Sequence, residues 1–265
     1  MALTLLIPSW RKDDMEAYQQ SYPIHVINLQ RSVERKKSFV KNNQHLKYNF
    51  FPAFDGKTLG ASLLNSDKLF LHPLPFPSLG AFGCALSHFT LWKLAMQNNL
   101  AITIAEDDAI FRDDFVTASA NLIESLPKDW DMVYWGWNLD APLVVSIMGN
   151  AASALLSFDQ NAIVKKIDAF RISKEPATAL KLSKCFGIPA YTISPQGAKK
   201  FIEQCFPIKN TYVVFPLLNK YFSMTGVDMA MNLILSDTQS YVAFPPLVVT
   251  PNDHGISTIQ RPDSL

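Results

Sequence analysis

Short β-prone apolar runs alternate along this chain with longer stretches whose apolar positions recur at helical spacing. IHVINL (Ile24 to Leu29) predicts a strand. QRSVERKKSFVKN after it predicts a helix capped by Ser32, with Val33, Lys36, Lys37 and Val40 spread over mixed faces. Tyr48 to Phe54 predicts a second strand closed by a turn at Asp55-Gly56. The proline-rich stretch from Leu71 to Gly80 predicts a loop crossing the surface. Ala81 to Asn98 places Phe82, Leu86, Phe89 and Trp92 at near-helical spacing, with a stop at Asn98-Asn99. Leu100 to Ala105 reads as a buried strand, Asp113 or Asp114 as the cap of another helix, and Asp131 to Trp137 as the next strand.

The second half repeats this theme less regularly. Pro189 to Ser194 predicts a strand, Pro195 opens a helix through PQGAKKFIEQC, VDMAMNLILS predicts another helix, and YVAFPPLVV an edge strand broken by prolines. Ala141 to Phe158 carries no charge, but Pro142, Gly149 and Asn150 make it buried core rather than a membrane span. Gly149-Asn150 reads as a turn between two apolar strands or two helical pieces. Alternating strands and helices imply an α/β sheet with some parallel strands, built as one domain over residues 1–265 with room for a small C-terminal lobe from about residue 185.

Composition narrows the chemistry. The 24 Lys and Arg against 23 Asp and Glu leave no global field to draw the chain to nucleic acid, so any basic function is local. Three well-separated cysteines, Cys84, Cys185 and Cys205, with no CxxC pair, fit reduced buried thiols and a reducing, cytoplasmic compartment. MALTLLIPSW at the start has no basic stretch before it, and RKDD follows where a cleavage site would stand, so it reads as mature chain.

The candidate chemistry lies in AITIAEDDAIF. Ligands of open α/β sheets collect beyond the carboxyl ends of the strands, and there Glu106, Asp107 and Asp108 follow one another. Carboxylates this close repel, so each needs solvent, a proton or a cation. If strand geometry persists, Glu106 and Asp108 face one side and Asp107 the other, a spacing suited to a hard divalent cation that also grips phosphate. The bland alternative is an acidic loop opening the next helix. Arg31 and Arg35, four apart at the start of the first helix, share a face near its positive end or form a solvated basic face with Lys36 and Lys37. Together the two features fit a nucleoside diphosphate bridged by metal.

The segments IHVINLQRSVERKKSF, PAFDGK, LGAFGCALSHFTLWKLA, AITIAEDDAIF, PAYTISPQGAKKFIE and TGVDMAMN…YVAFPPLVVTPNDHGIST, in this order and spacing, resemble glycosyltransferase family 25 over Ile24 to Ile259. That family includes bacterial lipooligosaccharide galactosyltransferases and collagen galactosyltransferases. The resemblance implies a GT-A type, Rossmann-like mixed sheet flanked by helices. It implies an inverting enzyme that binds a UDP-sugar, UDP-galactose, with Mn²⁺ or Mg²⁺, and a lipooligosaccharide or other saccharide acceptor reached by peripheral contact at the inner membrane's cytoplasmic face. The triplet matches the family's variant of the aspartate-any-aspartate motif. It implies Asp108 as metal ligand, Glu106 as ribose or metal contact, and Asn28, Leu29, Arg31, Arg35, Asp55, Gly83, His88 and Asp107 as nucleotide-sugar contacts. Gln30 departs from the acidic or polar residue many relatives carry before the arginine.

One-step inversion also needs a base for the acceptor hydroxyl. Asp228 is the candidate, with a helix cap as its other reading. Asp55 contacts the nucleotide or only makes an Asp-Gly turn. Gly83 permits close backbone approach, and His88 faces the nucleotide or sugar or packs beside Phe89 and Trp92. His254 completes the metal shell or sits on a wet loop, and the rings of VYWGWN stack on sugar or fill the core. Phosphotransfer and dinucleotide oxidoreduction are disfavoured, because neither a Walker loop nor G-x-G-x-x-G stands in the sequence. An inactive carbohydrate-binding module of the same fold is the remaining alternative.

Overall fold

The computed structural model describes residues 22–251. MALTLLIPSW and His254 lie outside the described residues. Among the described residues thirteen strands are formed, in chain order β1 (Ile24–Asn28), β2 (Asn49–Pro52), β3 (Ile102–Glu106), β4 (Ile110–Phe111), β5 (Met132–Tyr134), β6 (Leu143–Ile147), β7 (Ala152–Leu156), β8 (Thr178–Lys184), β9 (Ala190–Ile193), β10 (Tyr212–Phe215), β11 (Lys220–Ser223), β12 (Ser240–Phe244) and β13 (Val248–Val249). The helices are α1 (Val33–Asn42), α2 (Ala61–Leu64), α3 (Leu79–Asn98), α4 (Phe115–Glu124), α5 (Gln160–Lys165), α6 (Ile167–Ile172), α7 (Pro195–Cys205) and α8 (Val227–Asn232).

Nine strands make one mixed sheet in the order β2-β1-β3-β9-β5-β12-β8-β6-β7. β2, β1 and β3 run parallel, as do β5 and β12, and the other pairings in this sheet are antiparallel. Strand alternation splits the core into two layers. Ile24 and Val26 pack on one face with Phe39 of α1 and with Phe115 and Leu122 of α4. Ile27, Ile104 and Tyr191 pack on the other with Leu86 and Trp92 of α3 and Phe201 of α7.

Local chemistry sets the element ends. Ser78 accepts from Ala81 N–H to open α3, which closes on Asn99 in the left-handed region at φ 48°. Ser194 accepts from Gly197 N–H ahead of Pro195 in α7. Ser32 and Asp114 occupy N-cap positions without a side-chain cap bond; Asp114 is instead held by the guanidinium of Arg112, at 2.6 Å. Gly149 and Asn150, both at positive φ, turn β6 into β7, which decides for the strand reading there.

Two expectations are corrected. YVAFPPLVV is not an edge strand: β12 lies between β5 and β8, and Pro245 and Pro246 fall just past its last paired residue, where no ladder N–H is lost. The predicted helix from Val227 is shorter, ending at Asn232 before a 3₁₀ turn at Leu235–Asp237. The proline-rich segment also does more than cross the surface, since Phe76 is buried against Phe70 and Phe82. All three cysteines are free, with Cys185 and Cys205 buried.

His25 on β1 yields a stability prediction. Burial pushes its imidazole from 6.5 down to about 4, so the fold holds it neutral while the unfolded chain takes up a proton below 6.5. Its contribution is complete above pH 6.5 and is lost as pH falls toward 4. His25→Gln should therefore flatten the acid-side fall in urea stability by up to ~3 kcal/mol. An unchanged pH slope in the variant would clear His25 of that role.

Candidate active site

The carboxyl ends of β2, β1 and β3 open onto a cavity of about 460 Å³. Strand register builds one wall of it. Ile27 pairs with Glu106, which brings Asn28 level with Asp107, and Asn28 Nδ2 donates to Asp107 Oδ2 at 2.6 Å. Helix α3 contributes Gly80, Cys84 and His88, one per turn. Gly187 and Ile188, on the approach to β9, and Thr225 to Asp228 at the start of α8 complete the enclosure.

The three carboxylates of the triplet line this same cavity. Asp107 does not face away. The strand ends at Glu106 in a turn closed by Ala109 N–H on Glu106 C=O, so two-residue alternation stops there. Asp107 turns to the guanidinium of Arg35, whose Nη2 also lies 3.6 Å from Asp108 Oδ2. Burial, and then Asp108, push the Glu106 carboxyl well above the usual range against the pull of Arg35. Burial likewise raises Asp107, with Arg35 and the Asn28 hydrogen bond pulling the other way. Burial alone would lower Arg35, but Asp108, Asp107 and Glu106 outweigh it and hold the guanidinium charged.

Arg31 precedes α1, so the two arginines do not share a helix face, although both line the cavity. Arg31 Nε pairs with Asp55 Oδ2 at 3.0 Å, and Asp55 Oδ1 accepts from Lys57 N–H, so its turn role and its place in the wall coexist. Leu29 and Asp228 line the cavity too. Asp228 Oδ2 accepts from Gly187 N–H at 3.1 Å, and burial raises its carboxyl despite that bond and those from Met229 and its own N–H. Tyr134, Trp135 and Trp137 are buried in the core, which decides for packing in VYWGWN.

Gly83 lies behind the wall. A Cβ there would fall 2.3 Å from Phe54 C=O and 2.8 Å from Gly56 N, so the close approach it permits is of the chain to itself. Gly83→Ala should cost about 3 kcal/mol, since backbone atoms on both sides cannot yield. Chemical denaturation would measure it, and a loss under ~1 kcal/mol would contradict the tight fit. Cys84, Asn138, Gly187, Thr225 and Thr250 also line the cavity and were not among the candidate site residues, although all but Gly187 stand in the quoted segments. Only Cys84 was within reach of pattern, through its helical spacing from Gly80 and His88.

A family model described as glycosyltransferase family 25 (LPS biosynthesis protein) matches residues 21–216. The chain belongs to glycosyltransferase family 25. A glycosyltransferase 25 family member of Aedes aegypti is 31% identical over 211 residues, covering 75% of this chain and 30% of that protein. Procollagen galactosyltransferase 2 of Mus musculus is 32% identical over 126 residues, 43% of this chain and 20% of that one. The inactive glycosyltransferase 25 family member 3 of Mus musculus is 29% identical over 126 residues, again 43% of this chain and 21% of the relative. The chain therefore spans between 20% and 30% of the length of these family 25 relatives.

Membership in family 25 implies a divalent cation, and the residues fit one. Asp108 Oδ1 is buried with no hydrogen-bond partner, Glu106 stands beside it, and both offer hard oxygen donors. Two carboxylates are the protein share such ions take when phosphate and water supply the rest. A softer set adjoins them: ligand atoms of Cys84, His88 and Glu106 lie within 4.8 Å of one another.

Proposed function

We propose that this chain is a cation-dependent, inverting glycosyltransferase that moves galactose from UDP-galactose to a saccharide acceptor of the bacterial lipooligosaccharide core type. The observation that supports the reading is the convergence, in one cavity, of an acidic triplet at a strand end, two arginines and a separate carboxylate, Asp228. Family 25 relatives named as galactosyltransferases favour the sugar. The reading takes residues 1–265 as one catalytic domain working at the cytoplasmic face of the inner membrane in peripheral contact. No helix among the described residues is long and apolar enough to cross a membrane.

In this reading Arg31 and Arg35 draw the diphosphate, with Asp107 and Asn28 fixing Arg35 in place. Asp55, already oriented by Arg31 and Lys57 N–H, takes the ribose or uracil. Mn²⁺ or Mg²⁺ held by Asp108 and Glu106 would supply Lewis-acid stabilisation of the charge that develops on the leaving UDP. Asp228 accepts the proton of the acceptor hydroxyl as the new glycosidic bond forms and the bond to UDP breaks.

Thermal unfolding with UDP, with and without Mn²⁺, is the first test. A metal-dependent stabilisation of about 2.7 kcal/mol is expected when ligand stands at ~100 times its Kd. Transfer assays with UDP-galactose, UDP-glucose and truncated lipooligosaccharides follow. The inactive relative favours a second reading, a carbohydrate-binding module; stabilisation by saccharides with none by UDP and metal would establish that module and end the transferase proposal.

A further inference from the structure

Trp92, Tyr191 and His88 are fully buried beside the cavity floor and form a chain whose direction follows from counting protons. Trp92 Nε1–H, a donor only, gives its hydrogen bond to Tyr191 Oη at 2.7 Å. The same oxygen lies 2.7 Å from His88 Nδ1. Burial holds the Tyr191 phenol well above its ordinary value, so it keeps its single hydrogen, and His88 Nδ1 is the acceptor beside it. Burial also pushes the imidazole down to about 3, so His88 is neutral. A neutral ring that accepts at Nδ1 carries its hydrogen on Nε2. That Nε2–H is buried and has no partner among the described residues.

The tautomer decides what the neighbouring cluster can do. Cys84, His88 and Glu106 bring thiol, imidazole and carboxylate within 4.8 Å, the donor set and i, i+4 helix spacing of a site for a thiophilic cation. Such a site needs the Nε2 lone pair. Reversing the chain to free it would leave Tyr191 Oη accepting twice and its own hydrogen without an acceptor in the interior. The near-parallel His88 and Tyr191 rings, 5.7 Å apart, further fix the imidazole plane.

We propose that the Trp92–Tyr191–His88 chain makes His88 a positioning residue, whose protonated Nε2 stands in the cluster it shares with Cys84 and Glu106, denying a thiophilic cation its nitrogen and leaving Glu106 as an oxygen ligand. The part played by Glu106 rests on the donor-binding reading above; the state of His88 does not.

Three measurements on the full chain test the proposal. In ¹⁵N-histidine-labelled protein, His88 Nε2 should give a protonated, pyrrole-type signal throughout about pH 5 to 8. Co²⁺ should produce no thiolate-to-metal absorption that Cys84→Ser removes. His88→Leu should weaken Mn²⁺ in the UDP stabilisation assay about tenfold, whereas His88→Gln, which retains an N–H, should weaken it about twofold. A pyridine-type Nε2, or a cobalt–thiolate band lost in Cys84→Ser, overturns the proposal. Equal losses in the leucine and glutamine variants reduce His88 to packing. If His88→Leu does not fold, the wild-type spectrum, the cobalt titration and His88→Gln still decide. Absence of any UDP response in the wild type would instead sink the transferase reading, while the nitrogen and cobalt results would continue to test the tautomer.

Discussion

Asp108→Ala should abolish the Mn²⁺-dependent part of the UDP stabilisation and cut transfer by about 10²–10³-fold or more, with the ligand-free protein no less stable than the wild type. The reason lies in how the acidic cluster is balanced. Arg35 neutralises chiefly Asp107, leaving Asp108 Oδ2 at 3.6 Å and Asp108 Oδ1 with no bond at all. Asp108 in turn is the leading charge that raises the buried Glu106 carboxyl. Its removal relieves repulsion on Glu106 and leaves the Arg35–Asp107–Asn28 unit intact, so only the longer Arg35–Asp108 ion pair is lost. The loss should appear only when a cation has to be held. Calorimetric melts with UDP and Mn²⁺, alongside turnover, separate these effects. Transfer at the wild-type rate in Asp108→Ala would remove Asp108 as a metal ligand, and a fall in the melting temperature of the ligand-free protein would show that the cluster is structural.

The parallel half of the sheet was legible because its strands carry strong local patterns bounded by turn residues. Ile24 to Leu29 and Leu100 to Ala105 are near-continuous apolar runs, as strands buried on both faces must be, and each ends where polar side chains begin. α3 was legible from ring spacing and the Asn99 stop. In the antiparallel half β5 and β9 were read as strands and the β6–β7 hairpin was one of two readings, but β8, partly exposed with a mixed pattern, was not read, nor was the β10–β11 hairpin held by Phe186, Phe215 and Phe222, which meet only in three dimensions. At the site, periodicity brought Glu106 and Asp108 together, but the orientation of Asp107 was misjudged because alternation assumes that the strand continues. Arg31 and Asp55 were each seen, yet their ion pair joins two loops 24 residues apart, which no local pattern encodes. Asn138, Gly187 and Thr225 reach the cavity by sheet topology alone.

Asp228→Asn should leave UDP and Mn²⁺ binding within about twofold and lower the transfer rate by about 10²–10⁴-fold. The substitution keeps shape and keeps an oxygen to accept Gly187 N–H, so the turn at Gly187 and the start of α8 should hold. What it removes is basicity. Burial raises the Asp228 carboxyl above its ordinary 3.8, which makes the carboxylate a stronger proton acceptor than a surface aspartate, in the wall of the same cavity as the triplet. The pH dependence carries opposite signs for stability and rate. In the fold the neutral form is favoured, so the stability Asp228 contributes is present below pH 3.8 and is lost as pH rises through the raised value. A base works only when ionised, so the rate should climb over that same rise. The Asp228→Asn variant, neutral at every pH, should therefore be at least as stable as the wild type near neutrality while showing neither the rate nor its acid limb. A variant that melts early but turns over normally would make Asp228 a helix-start residue and leave the acceptor proton to another group.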